Sequence, residues 1–310
     1  MQMFPDKTVA EGLTNAAHLA DVQGRSLWKD ARIRFSRNKA AMISLYVLIG
    51  IVLFCVFGGL FTQYEIDTAD FTLSGPNAYL GVPSIATGHY FGTDELGRDL
   101  FARTVQGTGI SMLVGVVGAM VAVIVGTLYG AVSGYFGART DMLMMRTVDI
   151  LMSVPYMFVL ILMLVIFGRS ILMLFIGIGL ISWLDMARIA RGQTLSIKNK
   201  EFVEAAVAIG VRPMTIVVRH IVPNLLGIVV VYSTLLIPGM IITESFISFL
   251  GLGVADPNAS LGSLIAKGAS QMQYGVLWQL LFPLFFFIVT LFAFFFVGDG
   301  LRDALDPKDR

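Results

Sequence analysis

Cysteine, histidine and charge are all scarce in this 310-residue sequence. The single cysteine, Cys55, lies inside an apolar run. Neither an intrachain disulfide nor a thiolate metal cluster can form, and Cys55 reads as a small packing residue. The three histidines, His18, His89 and His220, fall outside every long apolar run. That excludes Ser–His proteolysis within a membrane and a histidine metal site there. No GxxxxGK[ST] phosphate loop occurs, so the sequence holds no Walker-type ATPase. Nor does a row of acids or arginines follow one apolar helix, as a proton relay or voltage sensor requires. No catalytic residue, bound cofactor or metal is expected in this chain.

What the sequence has instead is apolar surface. Hydrophobic residues make up 56% and charged residues 14%, and the mean hydropathy is +0.79. A soluble domain of this size cannot bury that much, so the expected class is an all-α integral membrane protein. Runs long enough to cross the hydrocarbon occur at 40–61, 110–133, 149–168, 171–187, 224–243 and 279–298, which predicts six transmembrane helices. The third and fourth are joined by Gly168-Arg169-Ser170 alone, a tight hairpin. With the N-terminus inside, all but Arg98, Arg103, Arg169 and Lys267 of the 22 Lys and Arg fall on inside segments. The positive-inside bias therefore puts both termini in the cytoplasm. The first apolar run starts near Ala40 and is longer than an h-region, so no cleaved signal peptide is expected. Before it, Arg25, Lys29, Arg32, Arg34, Arg37 and Lys39, with Trp28 and Phe35, suit a short interfacial helix rather than a nucleic-acid site.

Several positions stand out along the spans. Gly126, Gly130 and Gly134 recur every four residues, a small-residue face suited to close helix packing or to a pore seam. Gly134–Gly137 and Arg139–Asp141 read as a short inside loop, followed by Arg146 and Asp149 as an interfacial pair. Pro155 and Pro238 predict kinks. The outer loop at 62–109 is too short for an enzyme domain. Its GTDELGRD block, with Asp94 and Asp99 flanking Arg98, reads as a capped, charge-paired turn before a short helix at 99–105. Glu244, at the outer end of the fifth span, is a substrate-path candidate because ionisable residues at membrane depth are costly; the competing placement is the headgroup region. Phe246, Phe249 and Leu250 suit a re-entrant or surface-lying segment, and Pro257-Asn258 a turn before a helix at 260–272. The phenylalanines of the sixth span suit packing and lipid contact.

The longest polar interruption is Asp185–Asn224. It carries Arg188, Arg191, Lys198, Lys200, Arg212 and Arg219 against Glu201 and Glu204, the signature of a cytoplasmic connector. Phe202, Val203, Ala206, Val207 and Ile209 fall at near-helical spacing, Gly210 offers a break, and Pro213 suits the first turn of a second helix. A helix-turn-helix held against the membrane by two spans is suited to receive a soluble partner.

Glu204-Ala205-Ala206, Gly210 and Pro223 at this spacing resemble the EAA loop of importer permeases in the ABC transporter superfamily, with His220 and Val222 where the family pattern has Ile and Leu. The resemblance runs from about Gly24 to Arg310, through GTDELGRD, MARIARGQTLS, ESFISFLGLG and GDGLRDALDPKDR. It points to the C-type permease of the oligopeptide and dipeptide importers, with a nickel importer as the neighbouring alternative. An ATP-independent secondary transporter is the alternative from another class, but neither an internal repeat nor midplane charges support it.

The resemblance implies a MetI-like fold and the following organisation: a cytoplasmic segment 1–39, a first span 40–61, a periplasmic loop 62–109, a permease core 110–298 containing a coupling loop 187–223, and a cytoplasmic tail 299–310. It implies a second homologous permease, two ABC ATPases holding ATP and Mg, a periplasmic binding protein and a peptide substrate, all at a bacterial inner membrane. It assigns ATPase coupling to Glu201, Glu204, Ala205, Ala206, Gly210, Arg212, Pro213 and Pro223.

Overall fold

The computed structural model describes residues 27–305, with the side chains of Leu27, Trp28, Gly75 and Pro76 left out. Among the described residues the regular structure is helical, with only isolated bridges in the outer loop. The helices are α1 (Leu27–Arg37), α2 (Lys39–Phe57), α3 (Leu100–Phe136), α4 (Ala138–Ser153), α5 (Tyr156–Phe167), α6 (Ile171–Ile197), α7 (Glu201–Ala208), α8 (Pro213–Phe249), α9 (Leu261–Gln271) and α10 (Trp278–Leu305). Five segments, Lys39–Phe61, α3, α6, α8 and α10, are long and apolar enough to cross a membrane unaided, and α4 with α5 reaches that length only as a pair bent by 73°, the shape of a broken span or a re-entrant loop. The break lies at Val154-Pro155. Proline lacks the N–H that would continue the helix and drives the residue before it out of the α region; Val154 sits at φ −89°, ψ 126°.

Several expectations change. The second span does not begin near Ile110: Asp99 caps Ala102 N–H, and one helix runs from Leu100 to Phe136 through a π-turn at Ala122–Gly126. No loop spans 134–141, because only Gly137, at φ +62°, separates α3 from α4. The polar stretch 185–224 is not one connector: its first third belongs to α6 and its last third opens α8, leaving α7 and two short joints. Pro238 lies within an unbroken helix, so of the two expected kinks only the one at Pro155 is a break. Phe246, Phe249 and Leu250 end that same helix and form no re-entrant segment.

The bundle is knitted by small residues. A Cβ on Gly130 would overlap Ala187 O and lie 2.7 Å from Arg191 N and 2.8 Å from Ala190 Cβ. One on Gly126 would lie 2.6 Å from Met186 Cβ, and one on Gly134 would lie 2.8 Å from Thr194 Cβ. The glycine face of α3 is thus a seam against α6 inside this chain, where backbone approaches backbone. The largest apolar clusters in the bundle lie behind α7 around Met186, Val203, Ile216 and Leu225, around Val114, Leu160 and Met240, and under α2 around Leu48 and Phe294, with smaller ones around Leu100 and Leu264 and around Val148 and Leu184. The cluster under α2 includes Phe35 of α1, so that ring packs on α10 rather than facing outward. Among the sixth-span phenylalanines, Phe286 stacks on Phe54 at 4.4 Å and Phe282 on Phe91 at 4.1 Å, while Phe285, Phe292, Phe295 and Phe296 remain exposed.

Candidate functional site

The connector between α6 and α8 is held from below and open above. Lys200, in extended conformation, precedes α7, and Glu201 and Glu204 occupy its first turn, where acidic side chains oppose the helix dipole. The helix ends in a Schellman arrangement: Val211 N–H donates to Ala206 O at 3.1 Å and Gly210 N–H to Val207 O at 3.0 Å. The residue after the cap must then be left-handed, and Gly210 has φ +79°. Arg212 stands in extended conformation just before α8 without a side-chain capping bond, and Pro213 takes the first helical position, which needs no N–H.

Val203 and Ala206 are buried against the cluster behind α7. Glu201, Glu204, Ala205, Gly210, Arg212, Pro213 and Pro223 are exposed. The two alanines therefore do not share a face: Ala205 looks out and Ala206 packs inward. The outward face also carries Phe202, Val207, Ile209 and Met214, with Ile209 80% exposed. Helical spacing alone groups Phe202, Val207 and Ile209 with the packing residues. The structure separates them, because an eight-residue helix lying on the bundle buries only one side.

The connector's footing is polar. Asp141 of α4 accepts from Arg191 of α6 through both carboxylate oxygens and from Ser133 of α3 at 2.6 Å. Lys198 donates to Gly134 O at 3.0 Å. Asp149 pairs with Arg188 at 2.6 Å, and Arg146 takes no part in that pair, contrary to the expected Arg146–Asp149 contact.

At the far end, the GTDELGRD block is a clasp. Asp94 pairs with Arg98 at 2.8 Å and with Arg103 at 3.2 Å, and both arginines reach Asp256 beyond α8, at 3.1 and 3.3 Å. Asp99, expected beside Arg98, instead caps α3 and pairs with His89 at 2.9 Å. Arg103 is 1% exposed, and such burial is tolerable only with these partners. Burial pushes the Asp256 carboxyl up. The hydrogen bond from Lys267 and the charges of Lys267, Arg98 and Arg103 outweigh it and hold it below the ordinary carboxylate range. Gln279 closes the clasp by donating to Thr93 O at 2.8 Å.

Glu244 faces neither headgroups nor an open path. It is 0% exposed and accepts from Ser111 of α3 at 2.7 Å, from Ser248 at 2.6 Å and from Ser245 at 3.2 Å. The signal that could have found its partners is the serine spacing: Ser248 follows by four, one helical turn, and Ser111 is a hydroxyl at the head of an apolar run.

Residues 123–310 match the family described as the binding-protein-dependent transport system inner membrane component, and residues 26–78 match the N-terminal TM domain of oligopeptide transport permease C. The oligopeptide transport system permease protein OppC of Haemophilus influenzae is 53% identical over 93% of this chain and 91% of its own length. That of Escherichia coli K12 is 53% identical over 99% and 100%. A dipeptide transport system permease protein, DppC of Bacillus subtilis, is 40% identical over 92% of this chain and 87% of its own length. Among solved structures, an inward-facing form of the MetNI methionine ABC transporter superposes with TM-score 0.52 at 18% identity, covering 65% of this chain and 95% of that one; at that identity the likeness is one of fold.

Proposed function

The chain belongs to the inner membrane components of binding-protein-dependent transport systems, and from that premise we propose that it is one of two permease subunits of an ATP-driven oligopeptide importer. Its relatives at 53% identity carry that name over nearly their whole length, and the dipeptide relative keeps the substrate class at peptide. The chain does no chemistry. It supplies half of a pore, and two ATPases holding ATP and Mg supply the free energy through α7 and its counterpart on the second permease.

The observation that carries this reading is the outward face of α7. Phe202, Val207, Ile209 and Met214 are exposed on α7, on the joint after it and on the first turn of α8, among the charged residues Lys200, Glu201, Glu204 and Arg212 rather than within a long apolar run. An apolar patch rimmed by Glu201, Glu204 and Arg212 is the mark of a protein contact. Ala205 and Gly210 let a partner's backbone come close. Behind the patch, Val203 and Ala206 key α7 to the base of α8, so a displacement of α7 is passed to a span rather than absorbed. A partner that grips α7 differently in its nucleotide-bound and nucleotide-free forms shifts the equilibrium between outward-open and inward-open pores.

In this orientation α7 and both termini are cytoplasmic, the far-end clasp is periplasmic, and a binding protein delivers peptide there. The test is purification of the chain in mild detergent with identification of what accompanies it. A homologous permease and ABC ATPases are expected, with ATP hydrolysis that rises when peptide-loaded binding protein is added. Purification of the chain alone, with peptide transport supported in liposomes without ATP, would refute the proposal.

A further inference from the structure

The buried Glu244 carboxylate bears on how movement crosses the membrane. It sits on α8, whose 37 residues form one rod of about 55 Å at 1.5 Å per residue. Only residues 209–212 separate the start of the rod from α7, and Glu244 lies near its other end, roughly 46 Å along. There the carboxylate joins three helices. Ser111 of α3 donates to one of its oxygens at 2.7 Å, and the same hydroxyl oxygen accepts from the N–H of Leu261 at 3.2 Å. Leu261 is the first residue of α9, capped by Ser260 and Ser263 in a reciprocal capping box.

The chain Glu244–Ser111–Leu261 thus ties the N-terminus of α9 to α8 through α3. Backbone packing reinforces it. A Cβ on Gly262 would overlap the Cα and carbonyl oxygen of Ser245, so α9 meets α8 without a side chain between them, and one on Gly107 would lie 3.1 Å from Ser260 C. A wholly buried carboxylate served only by hydroxyls and, through one of them, by a helix N-terminus is costly to break.

We propose that Glu244 is the positioning residue that fastens α9 to the lever α8, so that a displacement applied at α7 arrives at the far face as movement of α9. This rests on the importer reading above. Glu244 touches no substrate; it acts through Ser111 and α9. A merely structural carboxylate would affect assembly. A positioning carboxylate affects the transmission of movement in complexes that assemble normally.

The test uses the whole complex, carrying Cys55→Ser and spin labels at Phe249 and Ser270, both exposed, on the ends of α8 and α9. In the parent complex the distance distribution should be narrow, and should stay so with and without ATP and vanadate. Ser111→Ala removes the bridge alone, and Glu244→Gln replaces one accepting oxygen with a donor. Both should assemble and keep basal ATP hydrolysis within about twofold. Both should broaden the 249–270 distance, and lower uptake of labelled trialanine and the hydrolysis it stimulates by roughly tenfold, the loss expected from one or two buried hydrogen bonds. A narrow distance with parental uptake in Ser111→Ala overturns the proposal, as does failure of both variants to assemble, which would make the knot a folding element. If the parent complex shows no peptide-stimulated hydrolysis, the importer reading fails, while the distance still decides whether Glu244 holds α9.

Discussion

Replacing Gly130 with alanine, a single methyl group, should damage the bundle out of proportion to its size. The new Cβ would overlap the carbonyl oxygen of Ala187 and press within 2.7 Å of Arg191 N and 2.8 Å of Ala190 Cβ, against an ordinary contact of about 3.5–4.0 Å. Two of the three atoms are backbone and cannot rotate away, so α3 and α6 must separate. Overpacking of this kind costs about 1–3 kcal/mol, and the absence of a yielding side chain places it at the upper end. The separation also loosens the Asp141–Arg191 and Lys198–Gly134 contacts that seat the connector. The control is Gly50, inside α2, where an added methyl would have nothing within 4 Å and alanine should be neutral or stabilising by up to about 1 kcal/mol. Unfolding of the purified chain by steric trapping in bicelles reads both. A loss of about 3 kcal/mol, roughly a 150-fold change in the folding equilibrium, is expected for Gly130→Ala. Equal stability of the two variants would refute the seam.

Gly210→Val should assemble normally, since nothing lies within 4 Å of its Cβ position, yet strain the left-handed cap by about 1–3 kcal/mol and lose ATP-dependent peptide uptake; parental uptake in vesicles would count against the coupling role of α7. A cysteine at Ser196, in a Cys55→Ser background, should react with an impermeant maleimide only from the cytoplasmic side, and labelling in intact cells would invert the orientation. Arg103→Met should destabilise the far end strongly, by about 3–5 kcal/mol, because Asp94 loses a buried partner, and limited proteolysis of the 62–99 segment would report it; unchanged protease resistance would show that the clasp carries no load. The Asp256 carboxyl, held below its ordinary value, contributes stability that is fully present above its unfolded pKa of about 3.9 and is lost as pH falls through the lower folded value. Resistance of the clasp to proteolysis should therefore be flat from neutrality down to about pH 5, and an earlier loss would contradict the assignment.

The class, the spans and the connector were legible in the sequence because lipid imposes a strong local signal: apolar length, basic flanks, and Gly210 and Pro213 as punctuation. Helix ends were less legible. Apolarity alone starts the second span near Ile110, whereas Asp99 caps a helix that begins at Leu100 and whose polar first turns are buried in the clasp. The connector reads as too long for the opposite reason, since α6 and α8 run on beyond the apolar runs as polar helix. What the pattern could not carry is pairing across distant segments. Asp256 reaches Arg98 and Arg103 over some 150 positions, and Ser111 reaches Glu244 over 133. Glu244 stands out in the sequence as an acid out of place, but its candidacy for the substrate path finds no support in a carboxylate that is fully buried and hydrogen-bonded to three hydroxyls.

The proposed coupling turns on whether a nucleotide-driven partner grips α7. A cysteine at Ile209, the most exposed apolar residue of the connector, tests it directly in native membranes of a Cys55→Ser background. The account predicts a cross-link from this position to an ABC ATPase, with a yield that changes between nucleotide-free and ATP-trapped states. A residue 209 that cross-links to no ATPase, with the same accessibility in both states, would contradict it.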